Sequence, residues 1–344
     1  MRKALLEKVA AGRVLSSDEA REAGEALAAG RSEPLVTAAF LSGLAARGET
    51  AEELSGLAAA FRAAMVPMEP WPEAVDTCGT GGDAKGTFNL STAAALTAAA
   101  LGAKVAKHGN RSVSSACGSA DLLERAGYPL AETAQEASRR LAERGFAFLF
   151  APAYHPAMAH VAPVRRALGV RTVFNLLGPL LNPAQVRHQV VGVFDGGRMD
   201  LVARSLQSLG TRRSLVVHGE GGYDEAILHG RTLVLEVRPD SVEAYGLEPR
   251  DFGLPEGSPG DVRGGSPPEN ARLFESLLAG RGPEGLAAAV AANAALALRA
   301  AGRVEDLREG TAAALAALRS GRVLAYVRQV LDDDGEEGRH AQVS

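Results

Sequence analysis

The stretch "DTCGTGGDAKGTFNLST", residues 76–92, ends the short apolar run "EAVDT" and leads into an alanine-rich helical pattern over 91–101. Four glycines, Gly79, Gly81, Gly82 and Gly86, fall within eight positions, and Asn89, Ser91 and Thr92 follow. Glycine costs backbone entropy, so such a cluster marks a sharp turn or a backbone that something approaches closely. Strand, glycine turn, helix is the repeating step of an α/β fold. The same alternation recurs downstream: "AKVAKH" before 119–126 and 132–144, "FAFLFA" before 157–168, and "HQVVGVF" before 199–209, with "RSLVVHG" after it. This predicts a mainly parallel sheet flanked by helices, with two extra strands over 230–247 and closing helices over 270–279, 284–301 and 304–319.

Upstream the pattern differs. Residues 1–70 read as helix throughout: Ser16 with Glu19 and Thr50 with Glu53 fit capping boxes, and Gly30 and Gly48 stand where helices end. "MVPMEPWPE" holds three prolines in nine residues and reads as a domain boundary. The predicted fold class is therefore α/β, a small all-helical domain plus a large α/β domain with a mainly parallel central sheet. The polar tail "DDDGEEGRHAQVS" is expected to fray.

Composition excludes several function classes. The 344 residues carry a net charge of −4, which gives no reason to expect nucleic acid or an anionic membrane as partner. The two cysteines, Cys78 and Cys117, make no disulfide framework. "MRKALLEKVAAGRV" lacks the apolar core of a signal peptide, and no run is long enough to span a membrane. A cytoplasmic protein is expected.

The glycines do not form a Walker loop, because Lys85 precedes Gly86. Gly79, Gly81 and Ala84 fit the loose dinucleotide pattern, but residues 84–120 contain no acidic residue to hold a ribose. That acid-free window holds Lys85, Lys104, Lys107 and Arg111 with His108, and three of the protein's five lysines fall in it. A helix start with its free N–H groups, and the hydroxyls of Ser91, Thr92, Ser112, Ser114, Ser115 and Ser119, make the surface rich in donors. "KHGNRSVSSACGSAD", 107–121, repeats the arrangement after a second strand. Ligands bind at the carboxyl ends of such strands, so the two loops are expected to face one another around a ligand with several phosphates. Such a ligand brings Mg²⁺, and Asp224 with Glu225 in "GYDEAI" are the candidate carboxylates.

Together "GTGGD", "NLST", "KHGNRSVSS" with "GSAD", "HPAMAHVAPVRRALGVRTVFNLLGPLLNP" and "YDE" resemble the anthranilate phosphoribosyltransferase family, in the family's order, over residues 3–330. The resemblance implies a fold shared with pyrimidine nucleoside phosphorylases, with residues 1–70 and 170–185 as the small helical domain and 71–169 with 186–344 as the large catalytic one. It implies a homodimer paired through the small domains. The implied reaction joins anthranilate to 5-phosphoribosyl 1-pyrophosphate and releases pyrophosphate, a step of tryptophan biosynthesis.

Carried over by position, Gly79, Gly82, Asp83 and Thr87 match the pyrophosphate and ribose loop. Asn89, Leu90, Ser91 and Thr92 match the phosphate-binding helix start, with Ser91 also touching Mg²⁺. Lys107, His108, Gly109, Asn110, Arg111, Ser112, Val113, Ser114, Ser115 and Ser119 match the second loop. Gly79, Asn110 and Arg165 match anthranilate contacts, with His108 lining that pocket, and Asp224 and Glu225 match the metal pair. No catalytic base is assigned, since a neutral aromatic amine is already a nucleophile. "NLLGPLLNP", 175–183, reads as a hinge between domains. Two positions depart from the family pattern: Cys117 stands where serine is usual, and Leu90 where valine or isoleucine is common. A pyrimidine nucleoside phosphorylase would carry Lys-His before the glycine turn, where Thr77-Cys78 stand here. A non-enzymatic nucleic-acid-binding relative would need a basic groove.

Overall fold

The computed structural model describes residues 1–112 and 117–331. The expected fraying of the tail and the calls on Val113, Ser114 and Ser115 lie outside the described residues. Four helices open the chain: α1 (Lys3–Ala10), α2 (Ser17–Ala28), α3 (Pro34–Arg47) and α4 (Ala51–Ala63). Both predicted capping boxes form, Ser16 with Glu19 and Thr50 with Glu53. The proline-rich linker follows, and then the alternation begins. It runs β1 (Val75–Gly79), α5 (Leu90–Ala100), β2 (Val105–Gly109), α6 (Ser119–Arg125), α7 (Ala134–Arg144) and β3 (Phe146–Phe150). Short α8 (Ala151–Tyr154), α9 (Met158–Leu168) and α10 (Phe174–Leu177) lead to β4 (His188–Gly192), α11 (Met199–Ser208) and β5 (Arg213–Gly219). The hairpin β6 (Thr232–Val237) and β7 (Val242–Leu247) precedes α12 (Pro267–Leu278), α13 (Glu284–Ala300), α14 (Leu307–Arg319) and α15 (Arg322–Leu331).

The seven strands order as β3-β2-β1-β4-β5-β6-β7. The first five are parallel and the β6–β7 hairpin is antiparallel. Chain progress reverses between β1 and β4, where Gly79 lies opposite Gly192. At such a switch point the loops leaving neighbouring strands diverge to opposite faces, and the crevice between them takes ligands.

Both faces of the sheet are covered, which is why its strands read as nearly continuous apolar runs. On one face α13 is buried along almost its whole length and packs on α5. Both helices are mostly alanine, and the absence of bulk lets their backbones come close. On the other face one apolar cluster runs from Phe40 and Leu57 of the first helices through Phe174, Leu177 and Leu180 to Met199, Val191 and Val216, and a second covers β2 and β3 with Leu141 and Leu149. Helix α9 packs on α2 and α3. The helical layer is thus fused to the sheet rather than tethered to it.

One buried side chain ties the helical layer together. Glu53 is 0% exposed. Besides closing its capping box onto Thr50 N, it accepts from the backbone N–H of Leu15 at 2.8 Å and pairs with Arg47. Removing it leaves the Leu15 N–H buried without an acceptor and takes the carboxylate from Arg47, which keeps only the carbonyls of Gly48 and Arg13. E53A is expected to cost about 3 kcal/mol, read as a lower urea midpoint with an unchanged slope.

Candidate active site

The carboxyl ends of β1, β2, β4 and β5 converge on one crevice. Asp224 and Glu225 follow β5 by a short turn, and the fold carries them some 140 residues back along the sequence to the glycine loop. Asp224 Oδ2 accepts from Gly81 N at 3.2 Å, and Glu225 Oε1 accepts from Ser91 N at 3.3 Å, at the start of α5. The pair is not the solvated turn that adjacent acids usually make. Burial, and then the neighbouring Asp83, push the Asp224 carboxyl up to about 6. Burial, Asp224 and Asp83 push Glu225 well above the ordinary range. Glu225 Oε2 and Asp83 Oδ2 are buried without a hydrogen-bond partner.

The glycines have individual reasons. A Cβ on Gly79 would run into the Asp224 carboxylate, and one on Gly192 would meet the Asp224 backbone. Gly81, Gly82 and Gly86 have positive φ, as does Ala84. Gly82 O accepts from Arg171 at 2.6 Å, and that guanidinium lies 3.9 Å from the centre of the Phe194 ring. Gly79 and Gly82 therefore make room for the protein's own side chains, and the turn alone accounts for Gly81 and Gly86.

Lys107, in the middle of β2, is 2% exposed. Its ammonium donates to Thr77 O, and lies 3.4 Å from Thr77 Oγ1 and 3.3 Å from Ser91 Oγ. Burial lowers its pKa and Asp76 works against that. Asp76, 0% exposed, accepts from His108 N at 3.1 Å and from Asn182 Nδ2 at 2.9 Å. His108 Nε2 lies 3.1 Å from His155 Nε2. Burial pushes His108 down to about 3, with His155 adding to the effect, and burial pushes His155 down to about 4. Both imidazoles are neutral at physiological pH.

The remaining sequence candidates divide. Leu90 and Thr92 are fully buried in α5. Thr87 pairs with Arg263 in an isolated bridge, and Asn89 spans to Cys117 and Asn270. Gly109 packs against Phe148 and Ser119. Asn110 Oδ1 accepts from Arg111 N at 2.7 Å, and Asn110 O accepts from Ser119 Oγ at 3.3 Å. Arg111 departs from the expected donor surface: its guanidinium turns to Asp121 at 3.1 Å and Glu124 at 2.7 Å, while Ser112 N donates to Asp121. The acids just past the acid-free window hold it. Arg165, on α9, lies 5.2 Å from the centre of the Phe174 ring, and burial lowers its pKa. Among the described residues no carboxylate pairs with it. Sequence reasoning missed Asp76, His155, Arg171, Asn182 and Asn270, each of which acts through a contact far along the chain.

The comparisons agree with this architecture. Residues 3–65 match the glycosyl transferase family's helical bundle domain and residues 71–324 its a/b domain. An anthranilate phosphoribosyltransferase of Rubrobacter xylanophilus is 46% identical over 324 residues, 94% of this chain and 95% of that one. The chain belongs to the anthranilate phosphoribosyltransferase family. A relative of that name from Geobacillus kaustophilus is 45% identical, covering 93% of this chain and 94% of the relative. Among solved structures, the anthranilate phosphoribosyltransferase of Thermus thermophilus superposes with a TM-score of 0.90 at 45% identity, covering 95% of this chain and 98% of the other. The Saccharomyces cerevisiae enzyme in complex with PRPP and Mg gives 0.86 at 27% identity over 96% of each chain. The same yeast enzyme is also solved in complex with 4-fluoroanthranilate. Membership in this family makes the fold and the enzyme class those expected from the sequence motifs.

Two outcomes follow from the geometry. G79A is expected to push the Asp224 carboxylate aside and to raise the Mg²⁺ concentration needed for half-maximal turnover, while circular dichroism stays that of the parent; an unchanged Mg²⁺ curve would show that the two groups do not compete for space. His108 and His155 have pKa values depressed from the unfolded 6.5, so the unfolded chain takes up protons that the folded one refuses. Their contribution is full above pH 6.5 and is lost as pH falls toward 4. H155Q should flatten the slope of stability against pH between 5 and 6 by about 1.4 kcal/mol per pH unit, measured by urea melts.

Proposed function

We propose that the chain transfers the phosphoribosyl group of 5-phosphoribosyl 1-pyrophosphate to the amine of anthranilate, in tryptophan biosynthesis. The observation that carries this reading is the meeting of the glycine loop, the start of α5 and the Asp224–Glu225 pair at the sheet's switch point. A nucleoside phosphorylase reading lacks support, because Thr77-Cys78 precede the glycine turn. A nucleic-acid-binding role lacks it too, because the crevice is rich in carboxylates.

The residues fit Mg²⁺. Among the described residues no group of three or more His, Cys, Asp or Glu is set to hold a metal by itself. Mg²⁺ takes one or two carboxylates and completes its shell from phosphate and water. The partnerless buried oxygens of Glu225 and Asp83 are hard donors in want of a cation. Asp224 and Glu225, with Ser91, would hold the ion. Bound there, it would supply stabilisation of charge growing on the departing diphosphate.

The chain's own residues do the rest on this reading. Gly79, Gly82, Asp83 and Thr87 line the ribose and pyrophosphate, with Asn89 to Thr92 at the helix start. Lys107 holds the Ser91 hydroxyl in place and adds a fixed positive charge beneath the leaving group. Lys107 to Ser112 and Ser119 face the donor from the second loop. Neutral His108 leaves the amine's lone pair free and can take no part as an acid. Arg165, half buried and paired with no carboxylate among the described residues, suits the acceptor's carboxylate, with Asn110 and Gly79 beside it. No side chain needs to be deprotonated to start the reaction.

We also propose the division into a small helical domain, 1–70 with 170–185, and a large catalytic domain, 71–169 with 186–344. The packing of α9 on α2 and α3 favours an earlier start of the second visit. A homodimer paired through the helical domains, working in the cytoplasm, completes the proposal; no helix among the described residues is long and apolar enough to cross a membrane.

Loss of anthranilate fluorescence in the presence of the sugar diphosphate and Mg²⁺ tests the activity directly, and no loss would sink it. R165A should raise the KM for anthranilate roughly 10- to 150-fold and move that for the sugar diphosphate far less. An equal rise in both would remove Arg165 from the acceptor pocket.

A further inference from the structure

We propose that Asn270, on α12, is a positioning residue for the donor site, holding the Asn89 side chain as a strut between the two ligand loops. The inference rests on the reading of those loops given above. Asn89 is the N-cap of α5, a position where asparagine normally turns back to accept from the first turn of its own helix. Here its side chain makes no capping bond. It reaches outward instead: Nδ2 donates to Cys117 O at 2.9 Å, and Oδ1 accepts from Asn270 Nδ2 at 3.1 Å. Asn270 Oδ1 in turn accepts from Gly265 N at 2.7 Å.

The direction of this chain is fixed at both ends. Gly265 presents its N–H to Asn270 and Cys117 presents its carbonyl to Asn89, so each amide between them has one orientation that satisfies every link, and the Cys117 thiol also meets the Asn270 side chain. Asn270 is 2% exposed, and a misplaced amide there has no water to turn to. An aspartate at either position would set two oxygens against each other. The chain demands a side-chain amide at both places, which is more than space-filling asks for.

The segment carrying Asn270 is built into the glycine loop. Phe88 N donates to Val262 O and Gly264 N to Gly86 O, both at 2.8 Å, and Thr87 bridges to Arg263. A Cβ on Gly264 would strike the Thr87 and Phe88 backbone. Residues 262–270 thus act as a splint along 86–89. The Asn89–Cys117 bond then sets how far the second loop stands from the first. Asn270 touches no substrate on this account; it acts through Asn89.

The test compares N270A, N89A and the double variant, using calorimetric titration with 5-phosphoribosyl 1-pyrophosphate and Mg²⁺ together with steady-state kinetics. N270A should weaken the sugar diphosphate roughly 3- to 10-fold, in both Kd and KM, and leave the KM for anthranilate at saturating donor within about 2-fold. The double variant should bind the donor no more weakly than N89A alone. N270D should lose as much as N270A. Losses that add in the double variant, an equal rise in both KM values, or a donor Kd equal to the parent's would overturn the proposal. If N270A melts below the assay temperature, N270S, too short to reach Asn89, carries the same comparison. A parent that binds the donor but does not consume anthranilate sinks the proposed reaction, and the calorimetric comparison still decides the role of Asn270. A parent that binds no donor sinks both.

Discussion

A carboxylate with no access to water stands at the centre of this molecule. Asp76 lies on β1, the middle one of the five parallel strands, and is 0% exposed. A buried charge is tolerated only when it is paired and hydrogen-bonded. Asp76 meets that condition through three groups on two segments remote in sequence: the His108 N–H and the nearby Lys107 ammonium, both of β2, and the Asn182 amide past α10. Asn182 also donates to Ala106 O and accepts from Ala184 N. Removing Asp76 would leave Lys107 as an uncompensated cation in the sheet. Removing Lys107 would strand Asp76. The register of β1 against β2 and the anchoring of the segment leading into β4 are therefore conditions of one another.

That constraint decides what faces the crevice. Lys107 spends its donors on Thr77 and Ser91, so it contributes to the site as a fixed charge and as a brace for α5, rather than as a mobile side chain. His108, its backbone held by Asp76, turns its ring to His155. The segment before β4 is held from the other side as well, where Arg62 of α4 donates to Leu180 O at 2.6 Å. A segment gripped by the sheet through Asn182 and by the helical layer through Arg62 cannot shift relative to one without straining the other. The apolar continuity of Phe174, Leu177 and Leu180 with both layers makes the same point by packing.

Much of this was legible in the sequence, and the part that was not has a common cause. Period-two and period-3.6 patterns are local, so the strands, the helices and both capping boxes could be read from neighbours in the chain. The second-loop strand "AKVAKH" and the alanine-rich α5 were found within two residues of their ends. The closing α15 lies beyond the last helix expected from the sequence, 304–319. The glycine loop stands out in the sequence, but nothing local shows that a Cβ on Gly79 or Gly82 would meet Asp224 or Arg171. The acid-free window over 84–120 suggested a free basic surface. In the fold, Asp224 and Glu225 arrive from β5, Asp121 and Glu124 draw Arg111 away, and Lys107 is internal. Linear composition counts charges along the chain; the site is composed across it. Asp76 and Asn270 escaped for the same reason, since each is one ordinary polar residue until its distant partners are placed beside it.

The electrostatics of the crevice bear on what it can accept. Asp76 and Lys107 largely cancel one another, which leaves Asp83, Asp224 and Glu225 crowded together with two buried oxygens lacking partners. A diphosphate entering alone would meet three carboxylates, and the positive ends of one helix and one internal lysine do not outweigh them at such range. A divalent cation entering alone would find Asp224 and Glu225, which burial has already made reluctant to ionise. The two together remove both objections: the cation takes up the carboxylate charge, and the diphosphate brings the remaining oxygens. On the proposed reading, burying these acids would make each half of the ligand a poor fit without the other, and that cross-dependence, rather than the strength of any one contact, would set this crevice apart from a general anion site at a helix start.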